Sequence, residues 1–290
     1  MPDQAHGLRR LFARSLVRTV AFAPGTPGME GAALLGHVAV AMARRGQGVC
    51  VLEQGAAGAG VAARLGVTLR HDLADVLRGQ RPLDEVLRHG PEGVRFLAAS
   101  AAGRLLRALT PDEESRLTGA LARLDPPVDL LLLDAPPAHA VDAPPWAVAA
   151  SEIVVVAGAG AEGVTDAYGL IKRLCRDAAR RRFHVVVWQA ADEAQALAVC
   201  DNLAATARRF LSASVAWLGW VPQCPSMARA AQLNQAVSWA FPESGSAAAI
   251  GELADRLLAW PYPGEDGLDD FVHRLVQASR SPADPQPRIR

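Results

Sequence analysis

The sequence predicts a single doubly wound α/β domain on a mostly parallel sheet, and three observations predict it. Compact apolar runs recur at residues 17 to 23, 49 to 52, 94 to 98, 128 to 133, 152 to 157, 183 to 188 and 214 to 221. They are short and apolar without alternation, as strands covered on both faces are. Stretches of helical periodicity lie between them, and strand alternating with helix over this length specifies a parallel sheet wrapped on both sides. No linker interrupts the alternation, so one large domain is more economical than the two that 290 residues would allow.

Taken in order, Val17 to Ala23 form the first strand and Pro24 to Gly31 the loop after it. A run of Ala, Leu and Val follows as a helix that closes at Arg44-Arg45-Gly46, with Gly46 placed as a C-cap. Val49 to Leu52 make the second strand, and a helical stretch at 71 to 89, broken at Gly79 and Pro82, leads to the strand at 94 to 98. The helix at 111 to 124 precedes the run through Leu130, Leu131, Leu132 and Leu133. Helices at 163 to 181, 192 to 211 and 244 to 260 each follow one of the last three strands. The α/β domain so defined is residues 17 to 260. Two appendages flank it: an arm of residues 1 to 16, and a tail with an amphipathic part at 261 to 278 and an end at 279 to 290 whose composition predicts disorder.

Composition narrows the function classes. Thirty basic and 30 acidic side chains cancel, so the electrostatic footprint of a nucleic-acid binder is missing and no nucleic-acid partner is expected. No apolar run approaches the roughly 20 residues that span a bilayer. Asp3, Gln4, Arg9 and Arg10 precede any apolar stretch and no signal-peptide run follows, which predicts a cytoplasmic protein. Cys50, Cys175, Cys200 and Cys224 are scattered without a C-x-x-C pair, against a zinc site or a disulfide framework, and read as buried thiols. Only Lys172 among the basic residues is a lysine.

In an open α/β sheet ligands bind beyond the carboxyl ends of the strands, and the first strand-to-helix loop is where a phosphate cradle would sit. Here that loop runs from Ala23 to Ala32. The chain resembles the MinD/ParA class of deviant P-loop ATPases, and more closely its flagellar branch, FlhG/FleN. The resemblance runs through Ala39 to Glu53, Leu131-Leu132-Leu133-Asp134-Ala135-Pro136-Pro137, Val164-Thr165-Asp166-Ala167-Tyr168, Leu218-Gly219-Trp220-Val221-Pro222 and the helix from Pro242 to Leu258, and covers essentially residues 1 to 260. It implies that the family's G-K-G-G-V-G-K-T falls on Gly25-Thr26-Pro27-Gly28-Met29-Glu30-Gly31-Ala32, where both lysines and the hydroxyl residue are gone. A P-loop lysine supplies charge to the β and γ phosphates and the hydroxyl binds Mg²⁺. Pro27 removes one N–H donor, and Glu30 sets a negative charge where a tetra-anion would lie. The family's D-A-D motif is here Glu53-Gln54-Gly55, its base-contacting Asn falls at Trp188-Gln189, and its acid after the Val-Pro turn at Gln223-Cys224. Asp134 alone keeps a metal-binding position, and its plainer reading is a strand-end carboxylate that caps the next turn. Neither ATP nor a metal is expected as a cofactor, and Lys172, in a helix, cannot replace the cradle.

The arm Asp3-Gln4-Ala5-His6-Gly7-Leu8-Arg9 has the form D-Q-A-x-x-L-R, which resembles the segment by which FlhG proteins activate FlhF, a signal-recognition-type GTPase. As a helix it sets Leu8, Leu11, Phe12 and Leu16 on one face, with Asp3 as N-cap. Periodicity alone favours a helix packed on the protein's own sheet; the resemblance reverses that preference. Gly7 costs about 1 kcal/mol relative to Ala and the segment is short, which suits one that folds on binding. The resemblance implies that Asp3, Gln4, Ala5, Leu8, Arg9 and Phe12 meet the partner and that the Gln4 amide orients its attacking water.

In the tail, Leu268, Phe271, Val272, Leu275 and Val276 form a second stripe, where the family often carries a membrane-targeting helix. Asp269 and Asp270 on its polar face would be repelled by anionic lipid, so packing on the domain or on a partner is the stronger alternative to peripheral contact with the inner membrane or cell pole through 268 to 276. Two function classes compete: a nucleotide-independent FlhG-like regulator of flagellar number and placement, and an active MinD/ParA-type ATPase regulating flagellar assembly. A third reading is an interaction module acting on a flagellar transcription activator or on basal-body components.

Overall fold

Every apolar run of the sequence forms a strand in the computed structural model, which describes residues 17–26, 31–55, 58, 60–124, 128–135, 144–261 and 267–280. In chain order the elements are β1 (Arg18–Pro24), α1 (Gly31–Ala43), β2 (Val49–Glu53), α2 (Leu73–Leu77), α3 (Leu83–Val86), β3 (Arg88–His89), β4 (Arg95–Ala98), α4 (Ala102–Leu105), α5 (Pro111–Ala122), β5 (Leu130–Asp134), α6 (Pro145–Ala149), β6 (Glu152–Gly158), α7 (Ala161–Ala178), β7 (Arg182–Ala190), α8 (Glu193–Leu211), β8 (Ser214–Pro222), α9 (Pro225–Gln232), α10 (Val237–Ala240), α11 (Gly245–Ala259) and α12 (Leu268–Arg280), with short 3₁₀ turns between some of them.

The described strands form one sheet in the order β3-β4-β2-β5-β1-β6-β7-β8. All pairings are parallel except β3 with β4, an antiparallel edge that the sequence reading placed inside a helix. Two residues are too few to show a period, so Arg88 and His89 carried no strand signal. Successive leucines of β5 feed two cores: Leu131 and Leu133 belong to the one that holds Leu97, Ile153 and Phe271, and Leu130 and Leu132 to the one that holds Phe22, Leu35 and Ile250. Each such side chain, fully buried, contributes about 1.5–3 kcal/mol, which is why the central strands need no polar face.

Several helices differ from expectation. The stretch at 71 to 89 contains only α2 and α3, parted by Gly79, which adopts φ +68°, and by Pro82, the N-cap of α3. The short α6, α9 and α10 were not foreseen; each starts at or just after a proline or a turn and spans too few residues to show a stripe. His37 of α1 is buried, and its Nδ1 accepts the Val237 N–H at 3.2 Å, tying α10 down. Burial pushes this imidazole down to about 4, so it is neutral at physiological pH.

The tail helix is part of the core. Leu268, Phe271, Val272, Leu275 and Val276 are all buried among the residues of one core layer, with Phe271 against Trp146 of α6 at a ring separation of 6.4 Å. Arg274 Nε donates to the Ala149 carbonyl at 2.9 Å, and Arg280 reaches the Leu109 carbonyl at 2.6 Å. This arrangement turns the stripe away from any lipid surface. It also corrects one boundary: Ser279 and Arg280, assigned to a disordered end, are helical, with Ser279 buried and its hydroxyl donating to the Leu275 carbonyl at 2.7 Å. Among the described residues no helix is long and apolar enough to cross a membrane.

Candidate functional site

The crevice lies beyond the carboxyl ends of β1, β2 and β5. Strand pairing brings Phe22, Asp134 and Glu53 into one row across these three strands, so the last residues of β2 and β5 are two adjacent carboxylates. Both are buried, at 4% exposure for Glu53 and 8% for Asp134.

Their partners differ. Glu53 bends over Gly60 and its carboxylate accepts the Ala62 N–H at 2.7 Å, with the Val61 N–H as a further donor. A Cβ on Gly60 would stand 2.5 Å from that carboxylate, so only glycine lets the acid lie there. Burial raises the Glu53 pKa and these two N–H groups oppose the rise. Asp134 is pushed up to about 7, first by burial and then by the neighbouring Glu53 carboxylate, against an opposing pull from Arg64. The turn that Asp134 would cap lies outside the described residues.

The other positions that the resemblance aligns with the family's nucleotide motifs fall as follows. Gly25 is buried and donates its N–H to the Val156 carbonyl at 2.9 Å; a Cβ there would come within 2.8 Å of the Ala167 backbone on α7. Its glycine identity is therefore accounted for by the close approach of α7. Thr26 has a buried hydroxyl with no hydrogen-bond partner among the described residues. Gly31 and Ala32 open α1, where Ala32 packs on the core. Gly55 follows β2 and sits against Gly60. Pro27, Gly28 and Glu30 lie outside the described residues, as do Asp3, Gln4, Ala5, Leu8, Arg9 and Phe12 of the arm.

At the positions aligned with the family's base-contacting Asn, Trp188 near the end of β7 is buried and Gln189 is exposed with φ 57°. Gln223 is exposed, and Cys224 is half-buried, which corrects its reading as a buried thiol; Cys50, Cys175 and Cys200 are buried as expected. Lys172 is exposed on α7. Among the described residues no cluster of His, Cys, Asp and Glu could hold a metal ion.

Beside Glu53 the crevice continues into a cavity of about 540 Å³ over β2 and β4, which sequence reasoning did not foresee. Asp72, which lines it, accepts the N–H groups of Ala74, Ala101 and Ala102, each at 2.9 Å. That carboxylate thus serves to cap α2 and to bind the 98–102 turn rather than to await a ligand.

Comparison with known proteins agrees with this fold. No family model matches the chain. Among solved structures the fold is similar to the cell-division protein MinD of Aquifex aeolicus, with a TM-score of 0.65 at 18% identity, covering 86% of this chain and 100% of that one. It is also similar to a ParA family ATPase from Chlorobium tepidum, with a TM-score of 0.62 at 19% identity, covering 83% of this chain and 98% of that one. By sequence it is 26% identical over 264 residues to an uncharacterized ATP-binding protein of Methanocaldococcus jannaschii, across 89% of this chain and 95% of the relative. It is 31% identical over 263 residues to the antiactivator FleN of Pseudomonas aeruginosa, across 90% of this chain and 94% of the relative. The identity to FleN over nine-tenths of both chains and the shared fold place the chain in the FlhG/FleN family within the MinD/ParA class.

Proposed function

We propose that this protein is a FleN-type regulator of flagellar number and placement that works without nucleotide. The observation that carries the reading is the charge of the crevice. It offers two buried carboxylates, Glu53 and Asp134, and the aligned loop from Gly25 to Ala32 contains no lysine. Bringing a triphosphate there sets like charges together at low dielectric, with no cation on the loop to offset them. The hydroxyl that remains, Thr26, stands at the other end of the loop from the family's magnesium ligand. This donor set does not fit a magnesium-bound triphosphate. A calorimetric titration of the full chain with Mg-ATP is expected to give no heat of binding at micromolar concentrations. Saturable micromolar binding that Gly28→Trp abolishes would restore the ATPase reading.

The activity of the regulator then resides in the arm. Its Asp3-Gln4-Ala5-x-x-Leu8-Arg9 pattern supports stimulation of an FlhF-like GTPase, with Leu8 and Phe12 as apolar anchors and the Gln4 amide placing the attacking water, a part that glutamine plays in other GTPases. Full-length protein is expected to raise GTP turnover by FlhF. Gln4→Ala should keep the half-saturating concentration but lower the maximal rate, because the amide is used mainly in the transition state. Leu8→Ala should raise the half-saturating concentration instead. Equal maximal stimulation by the wild type and Gln4→Ala would reduce the arm to a docking segment. The name of the P. aeruginosa relative, an antiactivator, supports a second partner, a flagellar transcription activator, which a pull-down with the same variants separates from FlhF.

A further inference from the structure

The crevice that bars an anion is built to receive a cation. Strand register sets Asp134 of β5 beside Glu53 of β2, so their backbones stand about 4.8 Å apart. Two glycines in contact with each other flank the pair. A Cβ on Gly60 would collide with the Glu53 carboxylate, and one on Gly55 would stand 3.0 Å from Gly60 Cα and 3.9 Å from Asp134 Oδ2. No side chain therefore fills the space over the acids from that side. Glu53 accepts the Ala62 N–H at 2.7 Å. Asp134, at 8% exposure, accepts no hydrogen bond from any described residue, and burial and the Glu53 charge together outweigh the pull of Arg64 on it. A carboxylate buried without donors is costly, and a cationic donor that reaches it removes that cost. From Glu53 and Gly55 the space continues into the cavity of about 540 Å³. Its lining includes the apolar side chains of Ala63, Val67, Leu69 and Ala98. Arg70 and His71 line it as well, and His71 Nδ1 stands 3.8 Å from the Asp75 carboxylate.

We propose that Glu53 and Asp134 together form a binding site for an organic cation of the alkylguanidinium class, whose carbon chain lies in the adjoining cavity. A guanidinium is planar and carries five N–H donors in a fixed fork, so one group bonds two neighbouring carboxylates at once. An ammonium offers its donors from a single point and is more strongly hydrated, so it gains less on entering. A divalent metal ion needs about six oxygen ligands, and among the described residues no third metal-ligating side chain joins these two. Val67 and Leu69 give the carbon chain an apolar wall, as ligand cavities of this size do around a few placed polar groups. The guanidinium head arrives on a free small molecule or on an arginine of a partner protein, and the probes below separate the two.

This inference rests on the reading that the crevice takes no nucleotide, and the two fail separately. Heat from Mg-ATP sinks that reading, whereas no heat from Mg-ATP and none from the guanidines sinks this one alone. The test is a calorimetric titration of the full chain at pH 8 and physiological ionic strength with butylguanidine, N-acetylarginine methylamide, butylamine and the neutral butylurea. Butylguanidine is expected to bind saturably, butylamine at least about tenfold more weakly, and butylurea not at all. Asp134→Asn keeps the shape and removes the charge, so it should weaken butylguanidine at least about tenfold. Glu53→Gln should weaken it as well. Butylguanidine should also raise the melting temperature of the wild type and leave that of Asp134→Asn where it was. Circular dichroism checks both variants, and urea unfolding at the same pH confirms that Asp134→Asn has lost binding without losing its fold. Tighter binding of N-acetylarginine methylamide than of butylguanidine assigns the site to a partner's arginine, and the reverse order assigns it to a free molecule. Equal affinity for butylurea, or an affinity for butylguanidine that Asp134→Asn leaves unchanged, would overturn the proposal.

Discussion

Two places on one sheet edge treat an acid in opposite ways. At the ends of β2 and β5, Glu53 and Asp134 are sunk side by side, and both hold their protons more tightly than free carboxylates. Beyond β8, Cys224 is half-exposed under the first turns of α9 and α11 and gives up its proton more readily than a free thiol. Position at the carboxyl end of the sheet is shared, so position alone does not make an anion site. What differs is the balance between desolvation and donors. Asp134 has burial and a like charge against it, with Arg64 in its favour among the described residues, whereas Cys224 has Ser226 beside it and little burial.

The largest effect expected from this contrast is at Asp134. Its folded value of about 7 lies above the unfolded ~3.9, so the folded state binds the extra proton between them. Stability should therefore fall as pH rises from about 4 to about 7, by on the order of a few kcal/mol, and stay lowered above that. Asp134→Asn should recover most of the loss at pH 8 and change little near pH 4, as read by urea unfolding at both. A variant no more stable than the wild type at pH 8 would break the comparison.

A smaller effect is expected at Glu53. Glu53→Ala leaves the Val61 and Ala62 N–H groups without their acceptor and should cost about 1–3 kcal/mol, whereas Glu53→Gln keeps an acceptor oxygen and should cost less. Both variants remove the neighbouring charge, so both should lower the pH at which Asp134 ionises, observable as a downward shift in the midpoint of the stability profile. The smallest effect is at Ser244, whose hydroxyl accepts the Ala247 N–H at 3.2 Å. Ser244→Ala should cost about 1 kcal/mol by thermal melting. The Asp134 profile should stay unmoved.

The sheet was legible because its strands are covered on both faces and so appear as unbroken apolar runs; Leu130 to Leu133 could hardly be anything else. That residues 25 to 32 contain no lysine is read directly from the sequence. Elements too short to show a period, such as β3 and α6, were not. The tail stripe was visible, but what it packs on was not, because Trp146 and Leu109 are far away in the chain. Cys224 was misread for the same reason. Cys-Pro at the start of a helix hints at an N-cap, yet nothing near residue 224 announces that Ser246 arrives from a second helix. Glu53 was seen only as a departure from a motif, and its hold on Ala62 depends on the turn at Gly60.

The placement of α12 bears on how the chain is made. Synthesis runs from the amino end, so the helix that seals Trp146 and neighbours α5 and α6 is the last described element to leave the ribosome. Until it arrives, the apolar face it covers stands open to water. A nascent chain stopped short of Leu268 would have its sheet and most of its helices but would display that uncovered face, a mark by which chaperones and proteases could tell an unfinished copy from a finished one.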